Sequence, residues 1–207
     1  MTEQIDEEIE YPEVRDRLRD MLERDYSKRR DLLRSGDLGG AYHGEMEEIH
    51  LQNARELRQL VEEHGWLDEP KVGEKGAEFA WIIVQHAISA PEFQRKMLGE
   101  IEESVEAGRV PGEHYAKLLD RIRFYEGKPQ EYGTNFDWDK TRQLSPTEVR
   151  DPDNVDERRA EMGLGPIADQ IETMRKRAER QNERPPRDLH AYWDDFDEWC
   201  KQVGWRD

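Results

Sequence analysis

The stretch EFAWIIVQHAISAPEFQ, residues 78–94, sets Gln85 and His86 inside the most apolar run of an otherwise strongly polar chain. Imidazole is the side chain best suited to moving a proton near neutral pH, so His86 is the first candidate for acid/base chemistry. On a helical wheel Phe79 and Ile82 are its near neighbours, while Gln85 projects about 100° away, nearer Trp81 and Glu78. The structural alternative is a buried histidine satisfied by a single hydrogen bond.

Two other segments also bring polar groups to an apolar face. Val14, Leu18, Met21, Leu22 and Leu32 share one side of a helical pattern, and Asp25 and Arg29 fall at the centre of that side. Being four apart, they can pair with each other as a buried ion pair or face a ligand. In the next pattern Met46, Ile49, Leu57, Leu60 and Val61 mark the buried face, and His50 and Asn53 lie within it. His43, Glu47 and His50 have an i, i+4, i+7 spacing that could present three ligands to a metal. However, Gly39, Gly40 and Gly44 disfavour helix at His43, so a capping or solvated His43 is preferred and no metal site is expected. Further along, Asp120 and Arg121 are adjacent and diverge, with Arg121 placed to meet Tyr125. Arg159 follows Val155 by four and precedes Met162 by three, hence it points inward. Exposed salt bridging is the alternative for these three.

The elements that must position these groups read as helices almost throughout, with period near 3.6 and no convincing alternating strand. The spacing predicts helices over 12–33, 44–64 and 74–88. Ser89-Ala90-Pro91-Glu92 has the form of a capping box and opens a fourth helix towards Gly108. Pro111 opens a fifth, ending before Gly127. The pattern lapses from 128 to 152, a loop longer than most connections in compact domains. Asp153 can cap a short helix ending at Gly163, and Pro166 starts another that runs into a charged connector. Asp188 begins a C-terminal amphipathic helix with Leu189, Trp193, Phe196, Cys200 and Val203 in one stripe.

Composition bounds the function. With 34% apolar and 39% charged residues, the 207-residue chain suits an acidic tail (1–11), one helical domain (12–175) and an appended connector and helix (176–207). A formal net charge of −17, from 49 acidic and 32 basic residues, argues against general affinity for nucleic acid or an anionic membrane. The single cysteine, Cys200, excludes an intramolecular disulfide, and no segment reaches the roughly 18 apolar residues needed to span a bilayer. A cytoplasmic location is the expectation. No phosphate-binding glycine loop, nucleophile elbow, HExxH or paired CxxC motif is present, which removes the familiar nucleotide-binding, serine-hydrolase and zinc-protease readings.

The segments ELRQLVEEHGWLDEPKVGEKGAEFAWIIVQHA, APEFQRKML, LLDRIRFYEGKPQEYGT and DPDNVDERRAEMGLGPI together resemble a bacterial family known only as a domain of unknown function, over about residues 14–174. The resemblance rests on Asn53, Gly65, Trp66, Gly73, Trp81, Gln85, His86, Phe93, Gln94, Asp120, Arg121, Gln130, Tyr132, Gly133, Thr134, Asp151, Arg158 and Arg159. It implies a pattern and no mechanism. The chain departs from that pattern at His50, where an acid is expected, and at Asn135, where a glutamine is expected.

The reading as a whole is an all-α fold: a compact multi-helix bundle around a central apolar third helix flanked by the first, second and fifth, with the Gln130 to Thr134 loop over one end. The leading function is an enzyme acting on a small molecule or peptide side chain without a cofactor. His86 and Asp25 would be catalytic. His50, Asn53, Gln85, Asp120, Gln130, Tyr132 and Thr134 would bind substrate, and Arg29, Arg121 or Arg159 would hold an anionic group. The alternatives are a non-catalytic binding, immunity or regulatory protein, with partner contact or self-association through the C-terminal helix, and a metal-dependent oxygenase or hydrolase.

Overall fold

A computed structural model describes residues 9–36 and 42–207. The tail expected at 1–11 lies outside them except for residues 9–11, as does the Gly39-Gly40 pair. The chain divides into two units, Met1–Val110 and Pro111–Asp207. Eight α-helices are seen among the described residues, so the fold is mostly helical as the periodicity predicts.

The first unit contains α1 (Pro12–Ser35), α2 (Gly44–His64), α3 (Glu69–His86) and α4 (Pro91–Glu106). Pro12 starts α1 where its missing N–H costs nothing, and Gly36 stops it in the left-handed region (φ 81°). The inward stripes of α1 and α2 follow those the sequence marks, with Leu18, Met21, Leu57 and Leu60 buried, and Ile83 and Val84 of α3 are buried with them, each side chain of this kind contributing about 1.5–3 kcal/mol. Helix α3 packs on α1, α2 and α4 and supplies the common wall.

Two local expectations need correction. Helical hydrogen bonding in α3 begins at Glu69, but Gly73 interrupts it at φ 74°, ψ 164°, a conformation that disfavours any side chain, so the regular helix does resume at Glu74. The capping box is not formed: the N-cap of α4 is Ala90, with no side-chain bond. Pro91 occupies the first turn and keeps Ala90 extended (φ −125°, ψ 69°), while Ser89 Oγ is buried without a hydrogen-bond partner among the described residues.

The second unit contains α5 (Gly112–Tyr125), β1 (Phe136–Trp138), β2 (Leu144–Pro146), α6 (Val155–Glu161), α7 (Ile167–Arg180) and α8 (Leu189–Gln202). The antiparallel pairing of β1 with β2, in register Phe136↔Pro146, Asp137↔Ser145 and Trp138↔Leu144, corrects the expectation of no strand. Strands this short carry too little alternation to be read. Asp139 closes their turn by accepting from the Thr141 and Gln143 backbone N–H groups and from the Thr141 and Ser145 hydroxyls. Asp188 caps α8 as expected, accepting from His190 N and Ala191 N. The aromatic stripe of α8 packs on α5, with the Phe196 ring 5.0 Å from Phe124 and 5.8 Å from Tyr125. Among the described residues, no helix is long and apolar enough to cross a membrane.

Candidate functional site

Asp25 follows Met21 by one helical turn on the buried stripe of α1 and is 1% exposed. His50 holds the equivalent position after Met46 on α2, and His86 is the last residue of α3. Packing of the three helices brings these side chains together. His86 Nδ1 lies 2.6 Å from Asp25 Oδ2, and His50 Nε2 lies 3.2 Å from the same oxygen. The two imidazole rings are 5.2 Å apart.

The three differ in exposure and in how fully they are bonded. Asp25 and His50 are buried, whereas the His86 side chain is 35% exposed. Tyr42, just before α2, hydrogen-bonds His50 Nδ1 through its hydroxyl, with its ring stacked on the imidazole. That contact fixes the ring so that Nε2 faces the carboxylate. Yet His50 Nε2 is off the line of a hydrogen bond to Asp25, and Asp25 Oδ1 is also buried without a hydrogen-bond partner among the described residues. Burial by itself would raise the Asp25 pKa, but the two imidazoles that face it outweigh burial and hold the carboxyl well below its usual range.

Asn53 supports this arrangement from one turn further along α2. Its amide donates to Met21 O (3.0 Å) and accepts from Arg24 (3.0 Å), tying α2 to α1 one turn before Asp25. Gln94 does similar work at the end of α3, donating to Val84 O at 2.7 Å. Arg29 is exposed, and the expected pairing with Asp25 gives way to the two imidazoles, because α1 turns Asp25 towards α2 and α3 and Arg29 towards solvent. His43 is the N-cap of α2 and accepts from Glu45 N, and the group that could offer three ligand atoms together is Asp25, His50 and His86 rather than His43, Glu47 and His50. Gln85 is buried on α3.

The remaining predicted residues belong to the second unit. Asp120 on α5 accepts from Glu131 N, Tyr132 N, Thr134 N and Thr134 Oγ1, so it organises the segment carrying Tyr132 and Thr134. Burial pushes its pKa up against these bonds, which lower it. Gln130 donates to Asn135 O and Thr147 Oγ1 and accepts from Asn135 N. Arg159, 2% exposed, donates to Tyr132 O, Gly165 O and Gln170 Oε1. The hydrogen bonds of Asp120, Gln130 and Arg159 thus go to their own unit, while Arg121 is half-buried on α5. A depression of about 690 Å³ in this unit is lined by Phe124, Trp193, Phe196 and Arg206 among others, and the triad is not part of its lining.

Two relevant residues escaped the sequence reading. Tyr42 sits eight residues before His50, a spacing without meaning until the chain entering α2 folds back on the helix. Asp68, 1% exposed, pairs with Arg109 at 2.8 Å. An acid before Glu-Pro reads from sequence only as a helix start.

Taken together, the first unit is a helical scaffold around a buried carboxylate flanked by two imidazoles. The chain belongs to a family of unknown function, DUF6624, whose profile matches residues 12–179. No curated protein and no solved structure matches it.

Proposed function

We propose that the chain is an enzyme acting on a small molecule or peptide side chain, with its reacting centre at Asp25, His50 and His86. The observation that carries this reading is the contrast within the triad: a deeply buried, ionised carboxylate holds Nδ1 of a histidine whose ring remains about one-third open. With Nδ1 donating to Asp25, Nε2 of His86 carries the lone pair and can take a proton from a bound substrate, then return it to a leaving group. Asp25 is the positioning residue, selecting the tautomer and offsetting the charge that His86 gains.

The reading does not draw on Arg29, Asp120, Gln130 or Arg159, because the first is exposed and the others are bonded within the second unit. Thermal-shift screening of the chelator-treated full chain against small metabolites and blocked amino acids tests it. A compound that stabilises the wild type and leaves His86→Ala unmoved is expected. If every stabilising compound acts equally on both proteins, the reading fails.

A further inference from the structure

The triad has a donor set that suits a metal ion, and its bonding is incomplete in the way an ion would complete. Two imidazole nitrogens and a carboxylate oxygen lie within 4.8 Å of one another, on three different helices. Ligand distances of about 2.0–2.2 Å for nitrogen and carboxylate donors require them to stand about 3–3.5 Å apart around a common ion; the 3.2 Å from His50 Nε2 to Asp25 Oδ2 falls in that range, while the 2.6 Å from His86 Nδ1 is a hydrogen-bond separation that must open slightly to admit one. A hydrogen-bonded cluster explains the His86 contact. It does not explain why His50 Nε2 approaches the carboxylate off the hydrogen-bond line, or why Asp25 Oδ1 is buried with no partner among the described residues. A cation shared by the carboxylate and the two rings accounts for His50 Nε2 directly, and for Asp25 Oδ1 where the carboxylate binds through both oxygens.

We propose that Asp25, His50 and His86 form a mononuclear site for a divalent first-row transition ion, deepening the enzymatic reading of the same residues and resting on it for the site's role in turnover. Two nitrogens and one oxygen favour zinc, iron(II), manganese(II) or cobalt(II). Calcium and magnesium need a richer oxygen shell, and no thiolate is among these ligands to favour copper(I). Tyr42 takes the supporting place that metal-bound histidines commonly give to a hydrogen-bonding partner on their second nitrogen. Three protein ligands leave coordination positions free for water or substrate, and the His86 side of the cluster, about one-third exposed, is its accessible side.

The proton accounting closes without an added reactant. His86 moves its proton from Nδ1 to Nε2, and His50 carries its proton on Nδ1, where it donates to the Tyr42 oxygen. With Asp25 ligating as the carboxylate, both rings ligate as neutral imidazoles. In this state His86 presents Nε2–H outward as a donor to substrate, and a water on the ion would supply the base that the metal-free ring supplies through Nε2.

Titration of the chelator-treated full chain with Zn2+, Mn2+, Co2+ and, anaerobically, Fe2+ tests this by calorimetry, with the Co2+ absorption spectrum as a direct report of nitrogen ligation. Binding of one ion per chain at micromolar or tighter affinity is expected, weakened at least about 100-fold in His86→Ala and Asp25→Asn, each checked for folding by circular dichroism. Absence of one-to-one binding for all four ions, or binding unchanged in both variants, overturns the site. If the metal-free wild type nonetheless shows His86-dependent ligand stabilisation, the acid/base reading stands and the metal site falls. One-to-one binding lost in the variants, with no His86-dependent compound when the screen is repeated on the metal-loaded chain, establishes the site and removes the enzymatic reading instead.

Discussion

Asp25 Oδ2 and His86 Nδ1 are 2.6 Å apart, although 61 residues separate them in the chain. Each belongs to a different helix, and the contact exists only because α1 and α3 pack along their length. Removing the acid while leaving the rings in place is therefore the sharpest perturbation. Asp25→Ala should cost about 2–4 kcal/mol at neutral pH, because His86 Nδ1 loses its acceptor and the buried His50 ring loses the carboxylate it faces, and urea denaturation would measure it. An unchanged midpoint would mean that the carboxylate supplies no net stability.

Tyr42→Phe keeps the ring that stacks on His50 and removes only the hydroxyl. The expected outcome is loss of about 1 kcal/mol or less in stability and a redistribution of the His50 tautomers. Nitrogen-15 chemical shifts of the His50 ring would show the second effect, and shifts identical to wild type would contradict the orienting role given to Tyr42.

Replacing Asp120 tests the loop network of the second unit. Its carboxylate gathers the N–H groups of Glu131, Tyr132 and Thr134, so Asp120→Ala should cost about 3 kcal/mol by leaving buried donors without an acceptor. Faster amide exchange at Tyr132 and Thr134 would accompany the loss. Protection at those amides matching the wild type would show that the segment is held by other contacts.

Gly133 offers a steric test of the same segment. It has φ +65°, and a Cβ there would come within 2.6 Å of Ile167 Cδ1 and 3.2 Å of Val149 Cγ2. Gly133→Ala should destabilise the chain by about 1–3 kcal/mol through backbone strain and displacement of Ile167. Thermal unfolding at wild-type temperature would show that the loop relaxes freely.

The β1–β2 turn carries a pH dependence of known sign. Burial raises the Asp139 pKa, but hydrogen bonds from Thr141, Gln143 and Ser145 outweigh it and bring the group down to about 2. Because the folded value lies below the ordinary value, its stabilising effect is complete above about pH 4 and disappears as pH falls through about 2. Exchange of the Gln143 amide should quicken across that acid range in the wild type and much less in Asp139→Asn. Parallel profiles for the two proteins would remove Asp139 as the cause.

Much of the helical architecture was legible because amphipathic spacing and stop signals are local. The limits of α2 and the capping of α8 by Asp188 follow from residues within a turn of each boundary. The hairpin was not legible: each strand has three residues, and its turn depends on one carboxylate serving several donors. Ser89 misled for a related reason, since the spelling of a capping box cannot show that Pro91 will displace the cap to Ala90.

What the sequence determined by itself was that Asp25, His50 and Asn53 lie on buried helical faces, since helical periodicity assigns the inward side of a helix; His86, about one-third exposed, ends its helix at the rim of that packing. Tertiary structure decided which of them meet. It set Arg29 outside, gave Asn53 to the Met21 carbonyl and placed both imidazoles on one carboxylate. The periodicity of one helix is blind to the rotation and depth at which another docks against it, and contacts between distant segments depend on both.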